Sequence, residues 1–320
     1  AKIDTDKAID DITAFGYPAV EMMYPGRIPD VLSSCIRGLF IPAEGKELYV
    51  VDYGAIEARV LMWLSGEEAG LKEFAATDAG TDEDIYVKMA QRIYGDPAIT
   101  KENNPGERQL GKQAILGCGY GMGAVKFQAT CAGYGITVSE DEASRVVELY
   151  RNTYYTIKNY WYEMERTVLN AYNEPEKPQA CRGVWWIYKK ERKAIFCRLP
   201  SGRILTYLYP EMVDNRFGGR SLSFMTEVAA QWVRRDVYGG LLVENITQAV
   251  ARDIMAYSMP TLEGSGFPIL MHSHDEIVSE RAIGEEKLQD MINIMCRVPE
   301  WANGCPIVAE GFVCSRYRKG

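Results

Sequence analysis

A chain of 320 residues, 47% of them hydrophobic, can bury a sizeable core as one large or two moderate domains, which excludes disorder as its resting state. Its formal net charge of −8 argues against phosphate-backbone binding by the surface as a whole, yet residues 177–203 hold eight basic residues against the single acid Glu191, so a basic patch on an acidic protein is expected. The eight cysteines include no C-x-x-C pair, the two histidines stand together at His272 and His274, and no signal peptide or membrane-length apolar run is present. Zinc spacings are therefore excluded, and a reduced, cytoplasmic setting with free thiols and no membrane contact is expected.

In chain order, the first clear element is a short β-rich run at 47–53. Apolar residues then recur at helical spacing over 56–64, so a strand should feed a helix at Asp52. Helical patterns follow at 84–94, 107–116, 139–150 and 153–172. From 184 to 209 the pattern turns aromatic and β-branched around Pro200, Ser201 and Gly202, which predicts a hairpin. A long helix at about 240–262 precedes two strands, 268–272 and 276–280, around a tight turn, then a helix over 285–296 and a last strand near 307–314. Strands at both ends of the chain with helices between them predict one sheet domain carrying a helical insertion.

Three constellations carry chemistry. The first is D-Y-G-A-I-E, from Asp52 to Glu57. An acid at a strand end suits a metal, because the sheet fixes its backbone while the carboxylate points into a cleft. An aspartate that merely caps the following helix would look the same. The second is His274, Asp275 and Glu276 in the turn between two strands. Adjacent acids after an apolar strand favour a cation between them and a partner acid; a solvated hairpin turn is the alternative. Paired with Asp52, Asp275 could supply the second carboxylate of a two-metal site, whose ions sit roughly 3.5 to 4 Å apart. The third is Arg108, Lys112, Leu116 and Tyr120, spaced by four. On a helix these form one slowly drifting stripe that suits a triphosphate followed by a base, or an ordinary solvated basic face. Gly117, Gly119, Gly121 and Gly123 follow a helix rather than a strand and no G-K-[ST] appears, so no phosphate loop is inferred.

In this order the three constellations resemble the motifs of family A DNA polymerases, the group of bacterial DNA polymerase I and many phage replicases. The resemblance runs from about Cys35 to the C-terminus. It includes I-R-G-L-F before the first strand, D-I-Y at 84–86 and L-P-S-G-R at 199–203. The segment Y-G-G-L-L-V-E-N-I-T-Q-A-V-A-R-D at 238–253 and the R-Y-R-K ending look like phage members in particular.

The resemblance implies an α+β fold, a right-hand polymerase in which an antiparallel-sheet palm, 1–66 and 221–320, carries inserted helical fingers at 67–220. It implies a DNA-directed DNA polymerase that uses two Mg2+ ions, for which Mn2+ can substitute. Asp52 and Asp275 match the metal-binding aspartates, the carbonyl of Tyr53 the backbone ligand, and Glu276 a further acid of the catalytic set. Arg108 and Lys112 match residues that grip the incoming triphosphate, with Lys112 also counted as catalytic, and Leu116 and Tyr120 stand beside the nascent base pair. Tyr86 belongs to the same nucleotide site, and Glu57 matches a steric gate against ribose. Gln248 matches a minor-groove reader and His274 a residue near the primer end, and Arg59 is expected on the DNA side.

Three positions depart from the family pattern. Gly54 stands where Ser is common, Leu116 replaces the usual aromatic and Tyr86 a frequent His, departures that bear on stacking and phosphate contact rather than on the reaction. A single-subunit RNA polymerase shares the palm, but Glu57 and the H-D-E triplet favour the DNA enzyme, and a catalytically silent DNA-binding module is expected to lack a metal aspartate. The implied partners are primer-template DNA, dNTPs and an N-terminal polymerase portion. That portion would carry a thumb, with or without an exonuclease, in the same precursor or as a separate subunit, because residues 1–34 are too short for a helical thumb with its T-G-R and Q-N-L-P region. Residues 17–24, rich in Tyr and Met, offer an apolar contact for it, and the basic stretch 182–203 is assigned to template or duplex backbone or, equally, to a solvated hairpin. For a phage-encoded enzyme the cytoplasm would be that of the bacterial host.

Overall fold

The structure, a computed structural model, describes residues 3–214 and 219–318. Two helices, α1 (Thr5–Met23) and α2 (Ile28–Cys35), lead into strand β1 (Lys46–Tyr53). Seven helices follow: α3 (Ile56–Ser65), α4 (Glu68–Asp78), α5 (Ile85–Tyr94), α6 (Pro105–Cys118), α7 (Ala124–Gly133), α8 (Glu140–Thr153) and α9 (Tyr155–Asn173). Then come six strands, β2 (Gln179–Cys181), β3 (Val184–Lys189), β4 (Ala194–Arg198), β5 (Ile204–Asp214), β6 (Arg220–Val228) and β7 (Gln231–Asp236). The chain closes with α10 (Gly239–Gly264), β8 (Ile269–Ser273), β9 (Glu276–Ala282), α11 (Leu288–Met295) and β10 (Ala309–Cys314). This is an α+β fold with antiparallel sheets, as the sequence implies.

The chain divides into two compact units, one of Ala1–Gly54, Met255–Arg297 and Val308–Gly320, the other of Ala55–Ile254 and Val298–Ile307. The first is built on a four-stranded sheet of order β10-β1-β9-β8, so strands from both ends of the chain pair as expected. Central β1 is buried on both faces, which is why Leu48, Tyr49, Val50 and Val51 form an unbroken apolar run. One face packs Leu48 and Val50 with Val278, Phe312 and Tyr317. On the other, Tyr49 meets the Phe267 ring at 6.3 Å, and the Tyr53 hydroxyl donates to the Met295 carbonyl at 3.0 Å. α1 and α2 enclose a small core of Ala8, Val20, Val31 and Cys35.

The second unit is not purely helical. Strands β2 to β7 form a six-stranded antiparallel sheet of order β2-β3-β4-β5-β6-β7, where sequence pattern predicts only the hairpin around Pro200. Its inner face carries Trp186, Ile195, Cys197, Tyr207 and Phe224, with Trp186 and Tyr207 rings 5.5 Å apart and Tyr207 and Phe224 rings 4.9 Å apart. The Trp186 ring nitrogen lies 3.1 Å from the Met164 sulfur on α9. Helices α5 and α6 touch through Gly111, where a Cβ would lie 2.1 Å from the Tyr86 carbonyl oxygen. Gly111→Ala should therefore push the two helices apart and cost about 1–3 kcal/mol, read in urea unfolding; unchanged stability would mean that the contact yields freely.

Candidate active site

At one end of the first unit's sheet, three acids stand in a cross-strand row. Asp52 on β1 is paired with Glu276 on β9 and with Glu310 on β10. Residues directly opposite in an antiparallel pair share a face with Cβ atoms about 4.5–5.5 Å apart. The same face carries Leu48, Val50, Val278 and Phe312 further in, so it runs from an apolar interior to an acidic end. Glu310 has no motif around it, and only the pairing of β10 with β1 reveals it.

Asp275 reaches this end through the turn. β8 and β9 are joined by His274 and Asp275 alone, between paired Ser273 and Glu276, and the Asp275 carbonyl accepts from the Tyr53 N–H at 3.1 Å. His274 holds φ 55, the left-handed region that favours glycine. His274→Gly should relieve this and stabilise the chain by about 0.5–1 kcal/mol in urea unfolding. A loss of stability would show that contacts of the imidazole outweigh the strain.

Like charges placed opposite one another repel. The Asp52 carboxyl is pushed above its ordinary range by partial burial and by Asp275, Glu276 and Glu310 in turn. Asp52 as a residue stays exposed, so the neighbouring charges outweigh burial in this rise. The Tyr317 hydroxyl donates to Glu276, and burial together with that bond pushes its phenol up to about 12. The Tyr53 ring lies buried, which leaves the backbone as the part of this residue that bears on the acids. Among the described residues no three His, Cys, Asp or Glu side chains already converge as a metal cage. A like-charged row of hard carboxylate oxygens nevertheless suits Mg2+, which takes one or two carboxylates and keeps its other positions for water and substrate phosphate.

The second unit holds the other group. Asp84 caps α5, its Oδ1 accepting from the N–H groups of Tyr86 at 3.0 Å and Val87 at 2.9 Å, while its Oδ2 accepts from Arg108 Nε at 2.7 Å. The Arg108 guanidinium lies 5.2 Å, and the Lys112 ammonium 5.7 Å, from the centre of the Tyr86 ring. Two cations on α6 thus lie near one aromatic ring of α5. Burial, then the Asp84 charge, push the Tyr86 phenol up to about 12, and Glu57 acts in the same direction. Glu57 also acts on Tyr120, whose phenol is driven well up by burial, then by Glu57 and Glu244. Glu57 thus acts electrostatically on both Tyr86 and Tyr120. Tyr120 lies beyond the end of α6, so the four-residue stripe is not all on one helix. Gly240 fixes that turn, since a Cβ there would lie 2.1 Å from the Tyr120 carbonyl oxygen. Leu116 and Tyr120 line a cleft of about 1200 Å³ with Met122, Val125 and Tyr238.

Arg59, expected on the DNA side, is buried, makes two 2.7 Å bonds to Asp78 and lies 4.2 Å from the centre of the Phe74 ring. Its role is to hold α3 to α4. Asp78→Ala should leave a buried guanidinium without its carboxylate and cost about 3–5 kcal/mol in urea unfolding; a loss below 1 kcal/mol would overturn this assignment. In the basic stretch, Arg182 pairs with Glu163 at 2.8 Å, Lys189 with Glu176 at 2.5 Å and Arg203 with Asp253 at 2.5 Å. Gln248 is exposed on α10, and His274 is exposed at its turn.

Residues 27–174 match the family model described as DNA polymerase family A. A DNA polymerase of Bacillus phage SP02 is 37% identical over 99% of this chain and 48% of that protein. The thermostable DNA polymerase I of Thermus aquaticus is 27% identical over 80% of this chain and 25% of that protein. A solved POL domain of Pol1 from M. smegmatis, in complex with DNA primer-template and dNTP, is similar in fold at a TM-score of 0.54 and 19% identity, covering 97% of this chain and 50% of that one. The chain thus spans about half the length of its phage relative.

Proposed function

From a chain that belongs to DNA polymerase family A, we propose template-directed addition of deoxynucleotides to a primer 3′-hydroxyl, by nucleotidyl transfer with two divalent ions, Mg2+ or in its place Mn2+. The observation that supports it most is the pairing of Asp52 with Glu276, which sets the Asp275 turn beside Asp52 at the end of the first unit's sheet. In this reading the palm is 1–66 and 221–320, and the fingers are 67–220.

Asp52, Asp275 and the Tyr53 carbonyl would hold the ions, with Glu276 beside them. Ions bound there would lower the pKa of the primer hydroxyl and offset charge on the leaving pyrophosphate. Arg108 and Lys112 bind the triphosphate and spread the charge that develops on it. Asp84 keeps Arg108 oriented for this through their 2.7 Å bond. Leu116, Tyr86 and Tyr120 border the nucleotide, and Glu57 with Tyr120 crowds the 2′ position of its sugar. Gln248 reads the minor-groove edge, and His274 stands near the primer end.

The reading also includes primer-template DNA, dNTPs, a host cytoplasm and an N-terminal polymerase portion that supplies the thumb. For that portion, support comes from the apolar side chains that the first unit exposes at Phe15, Tyr17, Met22, Leu32, Ile36 and Leu39. Among the described residues no helix is long and apolar enough to cross a membrane. Primer extension with dNTPs, with rNTPs and without metal tests the activity: templated, metal-dependent use of dNTPs supports it, and preference for rNTPs would favour an RNA polymerase. Adding the N-terminal portion of the polymerase in trans should raise processive synthesis. Robust processive synthesis by the 320-residue chain alone would contradict the need for that portion.

A further inference from the structure

We propose that the open face of the six-stranded sheet in the second unit binds single-stranded DNA by base stacking. In the polymerase reading, on which only this identification of the strand rests, it takes unpaired template. Strand register defines the surface. Trp185, Arg198 and Ile204 stand opposite one another on β3, β4 and β5. Ile187, Phe196 and Thr206 form the next row on that face. On edge strand β7, Trp232 lies two residues from Arg234, which follows Leu208 and Met225 across the sheet on the same side. The inner face is filled, whereas here Trp185 is 50% exposed, Ile204 55% and Trp232 58%. Neither indole makes a ring contact among the described residues, and each offers a face to a base.

The charges favour a polyanion. Of the cations on residues 184–204, Lys189 and Arg203 are paired with acids, while Lys190, Arg192, Lys193 and Arg198 have no acid partner among the described residues. The acids nearby include Glu176 on Lys189, Asp253 on Arg203, Glu211 on Arg234 at 3.0 Å, Glu191 at the hairpin tip, Glu227 opposite Trp232 and Asp236 two residues beyond Arg234 on β7. A cation-rich hairpin thus projects beside an aromatic face on a chain whose net charge is −8. β3 and β7 are roughly 19 Å apart at about 4.8 Å per strand, far enough for the two indoles to take different bases of one strand. Two exposed rings, one beside the unpaired Arg198 and one beside Arg234, suit unstacked bases, not a duplex whose bases are already stacked.

The test is fluorescence anisotropy with labelled oligo(dT), a blunt duplex as competitor, and EDTA in place of metal and nucleotide. Trp185→Ala and Trp232→Ala should each weaken oligo(dT) binding at least about fivefold and leave duplex affinity unchanged. Both indoles are exposed, so circular dichroism should report an unaltered fold, and Arg198→Gln provides a second readout on the same row. The triple change of Lys190, Arg192 and Lys193 to Gln should reduce the salt slope of oligo(dT) binding by about 2. Wild-type oligo(dT) affinity in both Trp variants would overturn the proposal. So would an equal loss on duplex, or loss of oligo(dT) binding when the N-terminal polymerase portion is added, which would make the face a protein interface. Because no catalysis is read, Asp52→Ala should bind oligo(dT) normally, and failure of the polymerase reading would leave this result standing.

Discussion

Asp52→Ala and Asp275→Ala should each reduce templated incorporation of a single nucleotide by roughly 10³-fold or more, while the fold and DNA binding persist. Both side chains stand at the end of the sheet, and neither supports the core of Leu48, Val50 and Val278. Rapid-quench incorporation in Mg2+ measures the loss, and near-normal rates in either variant would remove that residue from the metal set. A stability measurement gives an independent sign. The folded chain raises the Asp52 pKa, so it holds that proton more tightly than the unfolded chain does. Ionised Asp52 therefore costs stability at neutral pH, and the cost disappears as pH falls below the ordinary carboxylate range. In the absence of metal, Asp52→Asn should melt higher than wild type at pH 7, with the difference closing in acid or on addition of Mg2+.

Glu57→Ala should lower the preference for dCTP over rCTP by roughly 10²-fold. Glu57 lies at the start of α3, close enough that its charge raises the phenols of both Tyr86 and Tyr120. A ribose hydroxyl entering beside Tyr120 would meet this carboxylate, and removing it opens space for the 2′ oxygen. Single-nucleotide kinetics with each triphosphate gives the ratio. Glu57→Gln, which retains the bulk, should keep most of the discrimination, and an unchanged ratio in Glu57→Ala would overturn the assignment.

The parts of this account most legible from sequence are those with a strong local period. The apolar run before Asp52 predicts β1, and the apolar strand before His274 predicts the turn that delivers Asp275. Less legible are elements whose pattern is mixed. β7 is Q-W-V-R-R-D and exposed along almost its whole length, so nothing in its composition announces a strand, and β5 carries a register shift between Leu208 and Glu211 that breaks its alternation. Arg59 misleads because it follows an acidic motif, yet its helix is buried nearly all round, from Ile56 to Ser65, and an arginine there requires an internal acid. That acid, Asp78, lies on α4, one helix further along the chain. Glu310 illustrates the converse, a residue with no local signal whose position follows entirely from strand pairing.

Single-turnover extension of a primer-template by the 320-residue chain, with and without the proposed N-terminal polymerase portion, decides whether the chain is a polymerase. The account predicts addition of the templated dNTP only, dependent on Mg2+ or Mn2+, weak and distributive for the chain alone and stronger with the portion present. Absence of templated addition under both conditions, with the chain folded and in excess over primer ends, would contradict it.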